Sequence, residues 1–256
     1  MVTIVTLVKQ SPDVEAIRID PKTGAPDLNG VGLKVSDYDK NGVEAAVQLK
    51  EKNPGTRVIA LSLGGPKLEE SIKEALAMGC DEAVLLRDAA FANADTAEKA
   101  RLLATAIKKM GNVDIVIAAE ESLDSHSGQT GPRIAEELGL PLIAYVTENL
   151  RIEGGSVKAT REVDEGLEDV ECATPVVLTV LESLNHPRLP ALMQILQAKN
   201  KPQKVWGAAD LGAGDIKPVL SRPSSAAPKS ERKGLMLAGE SAVDDLAKAL
   251  AKEGVI

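Results

Sequence analysis

Up to Val146 the chain alternates short apolar runs with amphipathic stretches. Thr3–Val8 is apolar and β-branched almost throughout, the pattern of a buried strand. Lys40–Lys52 brings Val43, Ala46, Val47 and Leu49 to one face at helical spacing. Arg57–Leu63 reads as the next strand, Lys67–Met78 as a helix stopped by Gly79, and Glu82–Leu86 as a strand. Asp95–Met110 reads as a helix with Asp95 or Thr96 as its N-cap, Lys108 and Lys109 in its last turn and Gly111 beyond it. Asp114–Ala119 is a predicted strand, Gln129–Leu138 a helix closed by Gly139, and Pro141–Val146 opens another strand. Such β–α alternation predicts an α/β fold, a mostly parallel sheet with helices on both faces.

After Val146 the pattern changes. Glu148–Lys158, with Gly154-Gly155 at its turn, predicts an antiparallel ribbon. It leads into an acidic strand-like segment that Pro175 stops, followed by an apolar run. A proline-punctuated stretch from Asn185 then enters what reads as a basic helix. Gly207–Gly234 is rich in Gly, Pro, Ser and Ala without a long apolar period, as an extended arm would be. Glu240–Glu253 predicts an amphipathic helix with Val243, Leu246, Ala247, Leu250 and Ala251 on one face. The expected division is a nucleotide-binding α/β domain over residues 1–206 and an arm with a helix over 207–256.

Composition narrows the function classes. Of 256 residues 44% are hydrophobic but only 2% aromatic, so aliphatic side chains must fill the core. The net charge of -8 argues against a nucleic-acid backbone as the ligand. Cys80 and Cys172 stand far apart, and both read as buried free thiols in a reducing, cytoplasmic setting. No run reaches the roughly 20 apolar residues of a membrane span. The N-terminus lacks a basic stretch before its apolar run and reads as a strand, not a signal peptide.

An open parallel sheet binds ligands outside the carboxyl ends of its strands. Ser36–Asp39, Ser62–Pro66 and Glu121–Thr130 fall there. The last enters a helix whose first-turn N–H groups suit a phosphate, and Asp124 suits a ribose hydroxyl or a turn cap. The bland alternative is a turn with an N-cap. Neither G-x-G-x-x-G nor G-x-x-x-x-G-K-[ST] occurs. His126 and His186 lack a ligand cluster and read as surface residues. The carboxylates Asp164, Glu165, Glu168, Asp169 and Glu171 read as a solvated edge or a face for a basic partner.

Taken together, these residues resemble the β subunit of an electron-transfer flavoprotein. The likeness rests on Val8-Lys9-Gln10, on Ala75 to Asp81, on Gln129-Thr130-Gly131 and on Ala209 to Gly212. Its most specific piece is Ala159-x-Arg161-x-x-Asp164-Glu165-Gly166-x-Glu168-x-Val170, with Pro175-x-Val177-Leu178-Thr179 after it. Asn185-His186-Pro187-Arg188 resembles the family's N-[EK]-P-R. The resemblance implies a three-layer Rossmann-like fold and an electron carrier rather than an enzyme. It implies a heterodimer whose α subunit holds the redox FAD while the β subunit buries one AMP. Electrons would come from acyl-CoA dehydrogenase-type flavoproteins, as in fatty acid β-oxidation, and leave to a quinone reductase or another acceptor.

By position, the resemblance assigns nucleotide contacts to Leu7, Ser36, Asp39, Gly64, Asp124, Gln129, Thr130 and Gly131. It puts Arg161 and Glu162 near the α-subunit flavin, and makes Pro187–Lys199, with Pro187, Arg188, Leu192 and Lys199, the loop that docks the dehydrogenase. The chain has Ala119-Glu120-Glu121 where the family usually has G-[KR]-Q, and no Asn-Pro near Ser36-Asp37. Phe91-Ala92-Asn93-Ala94-Asp95-Thr96 resembles a stretch of electron-bifurcating relatives, in which a second FAD replaces AMP and NADH is oxidised. Lys99 departs from that pattern, so AMP and a second FAD both stand. A nucleotide-dependent enzyme on the same layered fold is the further alternative.

Overall fold

The computed structural model describes residues 2–214, 216, 218–220, 224–228 and 233–256. The chain divides into two compact units, Met1–Arg18 with Asp27–Ser224, and Ile19–Pro26 with Ser225–Ile256.

The first unit is a three-layer α/β structure. Its nine sheet strands are β1 (Thr3–Leu7), β2 (Arg57–Leu63), β3 (Glu82–Leu86), β4 (Ile115–Ala119), β5 (Leu142–Glu153), β6 (Ser156–Val163), β7 (Gly166–Ala173), β8 (Val176–Val180) and β9 (Gln203–Trp206). They lie in the order β7-β6-β5-β8-β4-β1-β2-β3-β9. All pairings from β5 to β9 across the sheet are parallel, and only β5–β6 and β6–β7 are antiparallel.

Strand alternation sends Ile4, Val58, Ile115, Ile117 and Leu178 to one face. There they pack on α1 (Asp37–Lys52), α2 (Leu68–Met78) and the end of α5 (Leu192–Ala198). Val5, Leu7, Ile59, Leu61 and Val177 face the other way, onto α3 (Thr96–Met110), α4 (Thr130–Leu138) and the one-turn α6 (Ala208–Leu211). Both faces are covered, which is why the inner strands read as unbroken apolar runs. The Asp95 cap holds, its carboxylate accepting from Glu98 N at 2.9 Å.

Some expectations need correction. The acidic stretch is a hairpin, β6 and β7, because the polar residues Asp164 and Glu165 turn the chain back on itself. The predicted basic helix is the short α5, which carries no charged residue and has Lys199 at its C-cap. The first turn of the expected arm is α6, whose Leu211 is buried and whose start is held by Asp88 and Asp210. Four arm stretches, 215, 217, 221–223 and 229–232, lie outside the described residues. Cys80 is buried, and burial pushes its thiol up to about 12, but Cys172 on edge strand β7 is only half-buried. Strand β9 has no sequence signature, since it is short, largely exposed and paired only through distant β3.

The second unit carries helix α7 (Ala242–Lys252), with Asp244 and Asp245 in its first turn and Lys252 in its last. Charges of that sign at those ends suit the helix dipole. Among the described residues no helix is long and apolar enough to cross a membrane.

Gly79 ends α2 at φ 139°, and a Cβ there would stand 2.8 Å from Val47 Cγ1 of α1. Gly79→Ala should therefore destabilise the protein by about 2–4 kcal/mol, from backbone strain plus a displaced helix. Denaturant titration at unchanged m-value measures it, and a loss below about 0.5 kcal/mol would contradict the packing argument.

Candidate functional site

The chain runs from β1 through α1 to β2 on one side, and returns after α3 to place β4 on the other side of β1. Strand order therefore reverses between β1 and β4, and the crevice at their carboxyl ends is the expected ligand position. Three segments meet there. Val8-Lys9-Gln10 leaves β1, Ser36–Asp39 starts α1, and Glu120–Gln129 follows β4.

Lys9 joins them. Its N–H donates to the Asp39 carboxylate at 2.6 Å, and its carbonyl accepts from Ser36 N at 3.0 Å. Its ammonium reaches Asp124 Oδ1 at 2.6 Å and Ser122 Oγ at 3.0 Å. Leu7, just before it, is buried at the strand end. Ser36 is buried too, and its Oγ has no hydrogen-bond partner. A buried hydroxyl without a partner costs free energy that an incoming polar group would recover.

At the start of α4 no side chain caps the helix, so its first N–H groups are open to an acceptor. Gly131 is buried in that turn, and a Cβ on it would collide with the Thr179 methyl of β8. Glycine lets the helix end sit down on the sheet. Gln129 and Thr130 lie beside it at the helix start, with Gln129 at the N-cap position. Gly64 ends β2, its N–H donating to Leu86 O at 3.2 Å, with Leu68 of α2 close against it.

The acidic departures in the loop after β4 are each matched. The Thr179 hydroxyl donates to Glu120 Oε2 at 2.5 Å, and burial raises the Glu120 carboxyl's pKa, which lowers its charge. His126 Nδ1 lies 2.6 Å from Glu121 Oε1, and its ring meets Tyr38 edge-on at 6.1 Å. Burial opposes the charge on Asp124, but the bonds from Lys9 and Ser122 prevail and lower its pKa. Both histidines are exposed, as the sequence suggests. Among the described residues no group of three His, Cys, Asp or Glu could hold a metal.

Two other predicted sets lie elsewhere. Arg161 and Glu162 are on β6, where Arg161 bonds Glu168 of β7 at 2.7 and 2.9 Å and Glu162 is exposed. Pro187, Arg188, Leu192 and Lys199 follow β8 on the α1 and α2 side. Leu189, Leu192 and Met193 are 94%, 72% and 63% exposed. Arg188 turns inward to Glu44 and Glu51 of α1. Sequence reasoning left Lys9, Glu44 and Thr179 out of the site. The signal for Glu44 was present, as a carboxylate one turn from Asn41 and Gln48 and flanked by Val43, Ala45, Ala46 and Val47.

Asp39 gives a pH test. Burial drives its carboxyl up to about 7, against the bond from Lys9 N–H, with Asp124 adding repulsion. The fold thus favours the protonated form, and its contribution is complete below the ordinary carboxylate range and lost as pH rises towards and through 7. Asp39→Asn should gain stability over the parent progressively from about pH 4 to pH 8. Chemical denaturation at both ends of that range measures the gap, and a pH-independent gap would refute the assignment.

Comparison with known proteins identifies the family. The family model described as Electron transfer flavoprotein domain matches residues 27–211. The chain is 38% identical over 261 residues to the electron transfer flavoprotein subunit beta of Thermoanaerobacterium thermosaccharolyticum, covering 99% of each chain. It is 39% identical to the subunit of that name from Clostridium acetobutylicum, covering 93% of this chain and 90% of the relative. The Caffeyl-CoA reductase-Etf complex subunit CarD of Acetobacterium woodii is 39% identical over 82% of this chain and 79% of its own. A family domain over most of the sheet, with β-subunit relatives along nearly the whole length, means that this chain belongs to the electron transfer flavoprotein β-subunit family.

Proposed function

We propose that this chain is the β subunit of a heterodimeric electron carrier. It pairs with an α subunit that holds the redox FAD, and it buries one AMP in the crevice between β1 and β4. The observation that carries the nucleotide reading is the convergence of an unpartnered buried Ser36 hydroxyl and an uncapped α4 start on one crevice. The bonded carboxylates around it support the same reading, because Lys9, His126 and Thr179 engage acids that would otherwise face an anionic ligand. Ser36, Asp39, Asp124 and the N–H groups from Gln129 to Gly131 would hold the nucleotide, with Leu7 and Gly64 along its walls.

Bound FAD supplies the one-electron chemistry, and this chain's residues bind and orient. Arg161 and Glu162 face the α-subunit flavin from β6. The loop Pro187–Lys199 docks an acyl-CoA dehydrogenase-type flavoprotein, and a quinone reductase or another acceptor takes the electrons onward. The arm and helix over 207–256 pack on the α subunit, a role that suits the apolar face of α7 formed by Val243, Leu246 and Leu250. Exposed apolar side chains on the loop support docking, since such a patch on a soluble protein marks an interaction surface.

A second reading replaces AMP with a second FAD and makes the carrier bifurcating, with NADH oxidation. It draws on the Phe91–Thr96 motif and on the relative named for a caffeyl-CoA reductase complex. The motif also has a local task, because Asp95 caps α3 and accepts from Val219 N at 2.9 Å.

Denaturing the purified heterodimer and counting released cofactors separates the readings. One FAD with one AMP is expected, whereas two FAD without AMP would establish the bifurcating form. A colourless chain that captures no α subunit would overturn both. Leu192→Ala should raise the KM for a reduced acyl-CoA dehydrogenase about tenfold or more at unchanged melting temperature, the loss of roughly 1.5–3 kcal/mol of leucine burial. An unchanged KM would remove this loop from docking.

A further inference from the structure

The docking loop presents an unusual combination. Leu189, Leu192 and Met193 stand in water, yet the segment that carries them is fastened at both ends. At the near end Asn41 Nδ2 donates to Asn185 O at 2.8 Å, and Asn185 Nδ2 returns a bond to Asn41 O at 3.0 Å. At the far end Ala198 is buried, and the Lys201 ammonium donates to Leu76 O and Cys80 O, each at 2.7 Å. Between these ties Arg188 makes the densest set of bonds. Its backbone N–H, Nε and Nη2 donate to the Glu44 carboxylate at 3.1, 2.8 and 3.0 Å. Nη1 and Nη2 donate to Glu51 at 2.5 and 3.0 Å.

We propose that Arg188 is a positioning residue, whose guanidinium clamps Glu44 and Glu51 of α1 and so holds the apolar array of the docking loop in place before a partner arrives. The inference rests on the docking role given to this loop above, and assigns Arg188 to α1 rather than to the partner's surface. Three observations carry it. Glu44 has only 4% of its side chain exposed, an expensive place for a carboxylate unless its bonds are supplied. Gln48 fills one at 2.9 Å and Arg188 the others. Burial pushes the Glu44 carboxyl up, but those bonds prevail and hold it ionised.

The second observation is geometric. Asn41, Glu44, Gln48 and Glu51 recur at three- and four-residue spacing and form one polar stripe on α1. The stripe matches the loop at successive points, and a planar five-donor fork spans two carboxylates of it where an ammonium could not. The third is energetic. Ordering a loop of long side chains costs conformational entropy on binding, and a loop ordered beforehand escapes that cost. A weak, fast-exchanging electron-transfer contact gains most from such pre-ordering, because its interface is small.

The test uses the assembled heterodimer with Arg188→Lys, Glu51→Gln and Leu192→Ala. Amide hydrogen exchange over residues 189–199 reads loop order without any partner. KM and kcat with a reduced acyl-CoA dehydrogenase read docking. Arg188→Lys should speed exchange in the loop at least tenfold and raise KM, with kcat and the FAD reduction potential unchanged. Glu51→Gln, which leaves the buried Glu44 bonds in place, should do the same more weakly. Leu192→Ala should raise KM with exchange unaltered. Unchanged exchange in Arg188→Lys and Glu51→Gln would overturn the clamp, as would faster exchange with an unmoved KM while Leu192→Ala raises it. If Leu192→Ala leaves KM unmoved, the docking reading fails instead, and faster exchange still upholds the clamp as the element that orders the loop.

Discussion

Lys9 is bonded in three directions, and the carboxyl-end edge of the sheet is organised around it. Its N–H is committed to a buried carboxylate of α1, its C=O to the N–H of the residue that starts α1, and its ammonium to the loop after β4. Strand β1 is central and fixed by parallel neighbours on both sides. The residue leaving it can therefore act as a fixed reference for a helix and a loop that come from distant parts of the chain. The neighbours share the work, Val8 N–H bonding Leu61 O at 2.9 Å and Gln10 bonding Ser71 of α2 at 2.9 Å.

Helix α1 links this edge to the loop after β8. Its first turn supplies Asp39 to the crevice, and its polar stripe supplies Asn41, Glu44 and Glu51 to the segment after β8. Its apolar residues Val43, Val47 and Leu49 seat it on the sheet. One helix thus bonds both the strand-end crevice and the segment after β8. A buried carboxylate on this helix stays charged only where its bonds are supplied. Asp39 keeps only a backbone N–H and drifts towards the neutral form, whereas Glu44 has a guanidinium and stays charged.

Most elements of the α/β unit were legible because their apolar patterns are local. Arg57–Leu63 and Glu82–Leu86 emerge at their expected bounds, and the helix ends at Gly79, Gly111 and Gly139 follow from single residues. The β6–β7 hairpin was misread as one strand because its turn is built from charged residues within a charged run. Strand β9 and helix α6 were invisible for another reason. Each is a few residues long, and each is held by bonds to groups far along the chain, Ala83 and Asp88 among them. The candidate site was partly legible, since position after a strand end marked Ser36–Asp39 and the loop to Thr130.

The sequence by itself determined the layered architecture, the family and the segments that border the crevice. Periodicity, caps and a spaced motif are properties of neighbouring residues, and they survive without coordinates. Only the tertiary structure decided what the charged residues do. Lys9 with Asp124, Glu120 with Thr179, and Arg188 with Glu44 are pairs separated by many residues, and no local pattern announces them. A charge is a weak determinant of secondary structure, but its energetic role depends on burial and on the partner within bonding distance. Folding gave the acids around the crevice bonding partners and turned Arg188 inward onto Glu44 and Glu51, because packing alone fixes which groups lose water together.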